Sequence, residues 1–557
     1  MRTRTLLVMF ALTTLLGGLL GQPATAQQTQ KRSDVEFMPA PPPPEEQPPR
    51  PWGPYDFSLS LEAGAQATAI HGNLDVYRSQ LNYLNDGLRL FNFNFSGKGK
   101  DGAFFSNFHI QGAGWGGDPS NWLRYGVSKD KWFDFRATYR RNDYFWVFPG
   151  FARDQHRNDQ QRRWQTFDLT LFPDRPLRVR LGYTRNSSFG LALTTQDFSR
   201  DEFLLFEPLR QTYDEYRAGV QLNLRRWNFF FEQSYRFFRN DRSLFLPGGF
   251  NPGNDTSDAT FLTDLQRRQP IRAKIPFTRF TVTGRPHRTV DVAAHIAYSH
   301  TDIDASRFEN SLGRTFLGAD AREVITSTLD ANRPYTVADA TATWRPFSRL
   351  TLSNDFRFDQ YNIGGAGTFA DFTFFPLLGS SDEDRSLQQR QLELQGFQNR
   401  FEGRFDFTRW LTARAGFIYH HRDVDFNEFE FECALVGAIS PSPACPSITD
   451  VEELELNHFN LNTRSFLLGT IIRVRPTFSA FFDLERGNAT GVFTRLSPNN
   501  INRIRVRGRW EPTHGVKLAA SWFIFEKDNF NLPTSVELSG SDIDVNPNGR
   551  HSSRNRG

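Results

Sequence analysis

The sequence predicts an all-β fold, a large antiparallel up-and-down transmembrane β-barrel of roughly 20 or more strands. Three observations lead there. Segments of about ten residues alternate apolar with polar or charged side chains. Short and long connections alternate strictly between those segments. Rows of arginine fall where a dry protein core could not hold them.

Composition is consistent with that class. Of 557 residues, 38% are hydrophobic, and the mean hydropathy of −0.54 leaves no room for a polytopic helical membrane protein. Yet aromatics make up 15%, with 56 Phe and only 3 Met. Alternating strands satisfy both numbers at once, because half of their side chains face an apolar solvent. The net charge of +4 is small for this length and points to no nucleic-acid partner.

Residues 1–26 read as a secretory signal peptide. Arg2 and Arg4 precede an apolar run from Leu6 to Leu20, and Ala24-Thr25-Ala26 forms a small-residue cleavage site, with the cut after Ala26. Gln27 rather than Cys follows, so nothing suggests a lipoprotein. Residues 27–54 contain PAPPPPEEQPPRPWGP (39–54) and read as an extended, proline-rich periplasmic linker.

Residues 55–530 carry the repeat. GKGKDG (97–102) and SKDK (128–131) are short turns, and later hairpins often hold proline at the turn. They include FPDRPLRVRLGY (172–183), LNLRRWNFFFEQSY (222–235), GRPHRTVDVAAHIAY (284–298) and TATWRPFSRLTLSNDFRFDQ (341–360). FDFTRWLTARAGF (405–417), RVRPTFSAFFDL (473–484) and RWEPTHGVKLAASW (509–522) continue the series. In the hairpin at 341–360, Arg345-Pro346-Phe347-Ser348 reads as the turn, since proline cannot donate to a ladder. Between hairpins lie polar stretches at 186–211, 240–272, 300–333, 362–392 and 423–457, expected as long loops. Short turns on one side and long connections on the other are the pattern of an outer-membrane barrel. From Asp56 to Phe530 the count is roughly nineteen strands, each about the length a tilted membrane strand needs.

The faces can be assigned by parity. Leu350, Leu352, Phe356 and Phe358 share one face, interrupted by Asn354, while Asp355, Arg357 and Asp359 share the other. Phe401, Gly403, Phe405 and Phe407 oppose Glu402, Arg404 and Asp406. Trp227, Phe229, Phe231, Tyr235 and Phe237 oppose Asn228, Glu232, Ser234 and Arg236, with Phe230 out of place among the polar residues. Ile504, Val506 and Trp510 oppose Arg505, Arg507 and Arg509, and this arginine run is the foremost candidate for a functional patch. Trp132, Trp164, Trp227, Trp344, Trp410, Trp510 and Trp522 read as an interfacial girdle at strand ends. Arg357, Arg404, Arg505, Arg507, Arg509, Asp355, Asp359, Glu402 and Asp406 are the candidate lumen charges.

The chain ends in HSSRNRG rather than on an aromatic closing strand. Residues 531–557 are expected to be a polar tail or the start of a missing closing strand, because Val516–Phe525 runs upward and SVELSG (535–540) is a poor return strand. The barrel therefore reads as C-terminally truncated.

The aromatic-x-Pro turns in TWRPFSRLTLSNDFRF and RWEPTHGVKLAASW, with GNLDVYRSQLNYLNDGLRL (72–90), resemble the MtrB/PioB type of outer-membrane barrel, the decahaem-associated outer-membrane protein family. The resemblance covers most of residues 55–526. It implies a barrel that sheathes a periplasmic multihaem cytochrome. Some members carry a CxxC near the mature N-terminus, and this chain has none.

Motifs for chemistry are scarce. Cys433 and Cys445, within CALVGAISPSPAC, are expected to form a disulfide inside one long loop. No CxxCH occurs, so the chain itself attaches no c-type haem, and no cofactor is implied. No G-x-S-x-G occurs either. His295 and Asp291 share a face without a matched serine, and His420 and His421 point to opposite faces, so neither a catalytic set nor a metal site is read. SHTDIDASRFEN (299–310) and GSSDEDRS (379–386) lack the ladder of a known calcium loop. The short segment between the signal cut and the first strand leaves no room for a plug, which argues against driven transport. The expectation is a non-enzymatic, porin-like barrel of the cell outer membrane, with lipid around it and small polar solutes or ions passing through. The alternative is a sleeve for a multihaem cytochrome.

Overall fold

The computed structural model describes residues 50–82, 86–151, 154–246, 249, 251–255, 257, 259–376, 379–436, 451–475, 477–490, 499–513, 515–529, 536–539, 542–545 and 551–556. They belong to one unit, Pro49–Gly557. The signal peptide, most of the proline-rich linker, Cys445 and hence any Cys433–Cys445 bond lie outside the described residues.

Nineteen long strands follow one another. They are β1 (Tyr55–Gln66), β2 (Gly87–Gly99), β3 (Asn107–Trp115), β4 (Ser120–Lys129), β5 (Phe133–Val147), β6 (Arg157–Leu171) and β7 (Leu177–Phe198). Next come β8 (Asp201–Asn223), β9 (Trp227–Phe245), β10 (Phe261–His287), β11 (Val290–Arg314), β12 (Asp320–Phe347) and β13 (Leu350–Phe375). The last are β14 (Ser380–Asp406), β15 (Leu411–Val436), β16 (Val451–Arg475), β17 (Phe478–Ala489), β18 (Asn500–Thr513) and β19 (Val516–Asn529). Each pairs antiparallel with its neighbours in sequence. His551–Arg556, which lies against Ile524–Asn529, is a twentieth strand, and the short segments Arg50–Trp52 and Asn251–Pro252 bring the sheet to 22 among the described residues. The fold is a large all-β, up-and-down barrel.

Three local expectations need correction. Among the described residues the long polar stretches are largely strand: 240–245 and 261–272 lie on β9 and β10, and 423–436 and 451–457 on β15 and β16. β7 and β8 are joined by Ser199 and Arg200 alone, both at positive φ, and β11 and β12 by residues 315–319. β10 to β16 run for 25 to 28 residues, where a bilayer needs about 9–11. Alternation marks a strand only where its two faces meet different solvents. Beyond that level both faces are polar, so the pattern fades while the ladder continues. Cys433 accordingly sits on β15, opposite Arg385, rather than in a loop.

The turn at 341–360 is Ser348–Arg349, and Pro346 lies within β12. A register shift between Trp344 and Phe347 accommodates it, as a residue without an N–H requires. At the C-terminus, Val536–Ser539 folds back on Asp542–Val545 as a separate hairpin, and His551–Arg556 pairs antiparallel with the end of β19. At the other end Arg50–Trp52, from the proline-rich linker, pairs with Tyr55–Phe57.

The connection from β1 to β2 holds a short helix that strand periodicity did not reveal, α1 (Leu74–Leu81). The Asn73 side chain accepts from the N–H groups of Asp75 and Val76 at 2.8 and 3.1 Å, and Asn82 closes the helix at φ 57°. Ser79 Oγ accepts from Val147 N–H at 3.1 Å, and the Arg78 guanidinium stands 4.0 Å from the Phe145 ring centroid. These contacts hold α1 on the ends of β5 and β6.

Candidate functional site

The sheet has two chemically distinct faces, and register decides which residue joins which. On β9 the apolar face carries Trp227, Phe229, Phe231, Tyr235 and Phe237, a run of eleven residues, before Arg239 and Asp241 replace aromatics. At its upper limit an aromatic row crosses four strands. Phe167–Tyr183, Tyr183–Tyr216 and Tyr216–Phe237 have ring centroids 6.1, 5.0 and 6.3 Å apart. Immediately above it the same face turns ionic: Arg185 faces Asp214, Arg239 faces Asp241, and Tyr183 Oη donates to Asp214 at 2.7 Å. Near the short turns, Trp132, Trp344, Phe347, Phe407, Trp410 and Trp510 stand exposed.

Trp164 departs from the expected girdle. It lies mid-strand on the face of Asp168, where its Nε1–H donates to Thr166 Oγ1 at 2.8 Å. Trp522 is on the apolar face, opposite Val506, but in the middle of β19. The polar exception Asn354 answers to Asn399 across the ladder. Each amide donates to the other, at 3.0 and 3.3 Å, so the pair satisfies itself on an apolar surface.

All nine candidate charges lie on the opposite face. Thr351, on the parity of Asp355, Arg357 and Asp359, is directly across from Arg404. From Arg404 the row passes to Arg414, Gly469, Asp483 and Arg505. Glu402 and Asp406 share Arg404's parity, and Arg507 and Arg509 share Arg505's. Glu402 receives Arg400 at 2.7 Å and Arg414 at 3.7 Å; Asp406 receives Arg404 at 3.3 Å and the Thr412 hydroxyl at 2.6 Å. Among the described residues no ion pair forms at Asp355, Arg357, Asp359, Arg505 or Arg507.

On this face Glu215, Arg217, Asp168 and Arg279 were not singled out from sequence. Glu215 bridges Arg217 and Arg236 at 2.9 and 2.7 Å, and Arg217 reaches on to Asp168 at 2.9 Å. Arg279 meets Glu232 at 3.0 Å. Phe230, the misplaced aromatic, sits among them with the guanidiniums of Arg180 and Arg279 at 5.3 and 5.1 Å from its centroid. His295 Nδ1 lies 3.0 Å from Asp339 Oδ1, while Asp291 is held by Arg285 at 2.6 Å and by Arg345. His421 faces away from His420 and contacts Asn462 at 2.8 Å. Pairings of this kind span strands far apart in sequence, so no local pattern announces them.

Toward the long-connection ends of β7 to β10 and β12, the charged face becomes apolar. Phe198, Phe203, Leu205, Leu244, Leu265 and Ala321 pack together there. Beside them Glu309, 1% exposed, accepts from Nε and Nη2 of Arg267 at 2.6 and 2.8 Å and from Arg307 at 2.5 Å. Burial pushes the Glu309 carboxyl up, but the two guanidiniums outweigh it and hold the group below its ordinary value. Asp255 N–H donates to Asp201 and Phe316 N–H to Ser199 Oγ, at 2.9 and 3.1 Å, which ties separate connections to this hairpin end.

No family model matches the sequence, and no curated protein does. Among solved structures, the ferric yersiniabactin uptake receptor FyuA from Yersinia pestis is similar at 12% identity and TM-score 0.31, over 84% of this chain and 78% of that one. The siderophore receptor PiuA from Acinetobacter baumannii is similar at 10% identity and TM-score 0.28, over 78% and 81%. The FrpB iron transporter from Neisseria meningitidis is similar at 10% identity and TM-score 0.26, over 74% of each chain.

Proposed function

We propose that this chain is a porin-like barrel of the outer membrane, giving passive passage to small polar solutes or ions through a charged lumen. The observation that carries the reading is the inversion of the two faces. Rows of Phe, Trp and Leu are exposed, whereas carboxylates such as Glu215, Glu309 and Glu402 are half-buried or buried against arginines. Water would penalise the first arrangement, and an oil-like core would penalise the second. Lipid around the apolar face and water within the charged one remove both penalties. Some twenty strands enclose an interior too wide for side chains to fill. The test is conductance of the purified chain in planar bilayers: stepwise openings are expected, and a barrel that inserts without conducting would remove the open-pore reading.

A second reading is favoured by one observation. β10 to β16 carry the wall well past the apolar band, and a 27-residue strand is about 90 Å long. A passive pore does not need so tall a wall. A sleeve around a multihaem cytochrome in trans-outer-membrane electron transfer does, in keeping with the MtrB/PioB resemblance. Haem co-purifying with the chain from its native membrane supports the sleeve.

A further inference from the structure

Most arginines on the charged face are matched by an acid. Arg503 is closed by Glu485 directly opposite, at 2.7 Å. The next three arginines down β18 are not closed in this way. Arg507 lies between Phe481 and Ser521 in the ladder. Arg509 lies between Ser479 and Ala519, with Glu511 at 3.7 Å its one acid contact among the described residues. Arg505 lies between Phe523 and Asp483, and Asp483 is already engaged by Arg414. Lys517, on the same face of β19, adds a further cation, itself without an ion pair among the described residues. Alternate residues on one strand stand about 7 Å apart, within a Debye length at physiological salt, so these exposed cations repel one another. Apart from Asp483, held by Arg414, and Glu511, their ladder neighbours Phe481, Ser479, Ser521, Phe523 and Ala519 carry no charge, which leaves the guanidiniums open to a ligand that bridges two of them.

We infer that this wall binds small multivalent oxyanions, with Arg505, Arg507 and Arg509 donating to the oxygens. A phosphate or polycarboxylate supplies the missing counter-charge and matches the planar fork of each guanidinium. The inference deepens the pore reading and rests on it only for how solutes reach the wall. A charged stripe on one flank also raises the local concentration of anions in a confined lumen.

The probe is inorganic phosphate, measured by equilibrium dialysis against the full chain in a phosphate-free glycoside detergent. The wild type is expected to bind. Arg505→Gln/Arg507→Gln should weaken binding about a hundredfold, roughly tenfold per charge-assisted contact. Arg357→Gln, on the same face but flanked by Asp355 and Asp359, should bind as the wild type does. In bilayers, phosphate added on the short-turn side should lower the conductance of the wild type and not of the double variant. Absent binding in the wild type overturns the inference. So does unchanged binding in a double variant with native heat-modifiable migration. A chain that does not conduct yet binds phosphate in a variant-sensitive way removes the pore reading and leaves the oxyanion site standing.

Discussion

Phe230 illustrates how single residues settle on a face that parity alone would deny them. Its ring is apolar, yet it stands among charges because the guanidiniums of Arg180 and Arg279 both lie within cation–π reach of it. Phe230→Leu keeps an apolar, slightly smaller side chain and removes the ring quadrupole, so it should lower stability to denaturant by about 1 kcal/mol, two exposed cation–π contacts' worth. Urea titration in detergent measures it. Glu309 is a stronger case. Because its folded carboxyl is held below the ordinary value, its contribution is fully present above the unfolded carboxylate range. It is lost as pH falls through the folded value. The opening free energy at the β10–β12 hairpin ends, obtained from hydrogen exchange after correction for the intrinsic pH dependence of amide exchange, should therefore hold from neutral pH down to the ordinary carboxylate range and fall only below it. Glu309→Gln should lower it at neutral pH by about 3 kcal/mol, since two guanidiniums lose their acid.

At the scale of the strand, β18 separates the two solvents most sharply. Val506→Arg should impair insertion by about 2–4 kcal/mol if the site is near the bilayer midplane, whereas Arg507→Glu should fold and shift ion selectivity toward cations. Folding yield into vesicles and reversal potential measure the pair. Collapse at Arg507 with tolerance at Val506 would mean the faces are exchanged. The same contrast explains what the sequence made legible. Strand count, short turns and the parity of 350–359, 401–406 and 504–510 could be read because one face is apolar and the other charged. The extensions of β10 to β16 could not, because residues such as Asn332 and Gln391 are polar on strands whose two faces are both polar there. Helix α1 had local signals in Asn73, Asp75 and Asn82, but it spans only eight residues in a chain read for a period of two. The cross-strand partners of Glu215 and Glu309 needed a register that no local pattern supplies.

For the whole molecule, the central claim is that a band about eleven residues tall girdles the sheet and meets lipid, with the charged face enclosing water. Spin labels placed singly at positions 504 to 510, with Cys433 and Cys445 replaced by serine, test it most directly after reconstitution into bilayers. Collision with oxygen should dominate at 504, 506 and 510, and collision with a water-soluble nickel chelate at 505, 507 and 509. Equal accessibility to the chelate along the whole strand, or the opposite phase, would contradict the account.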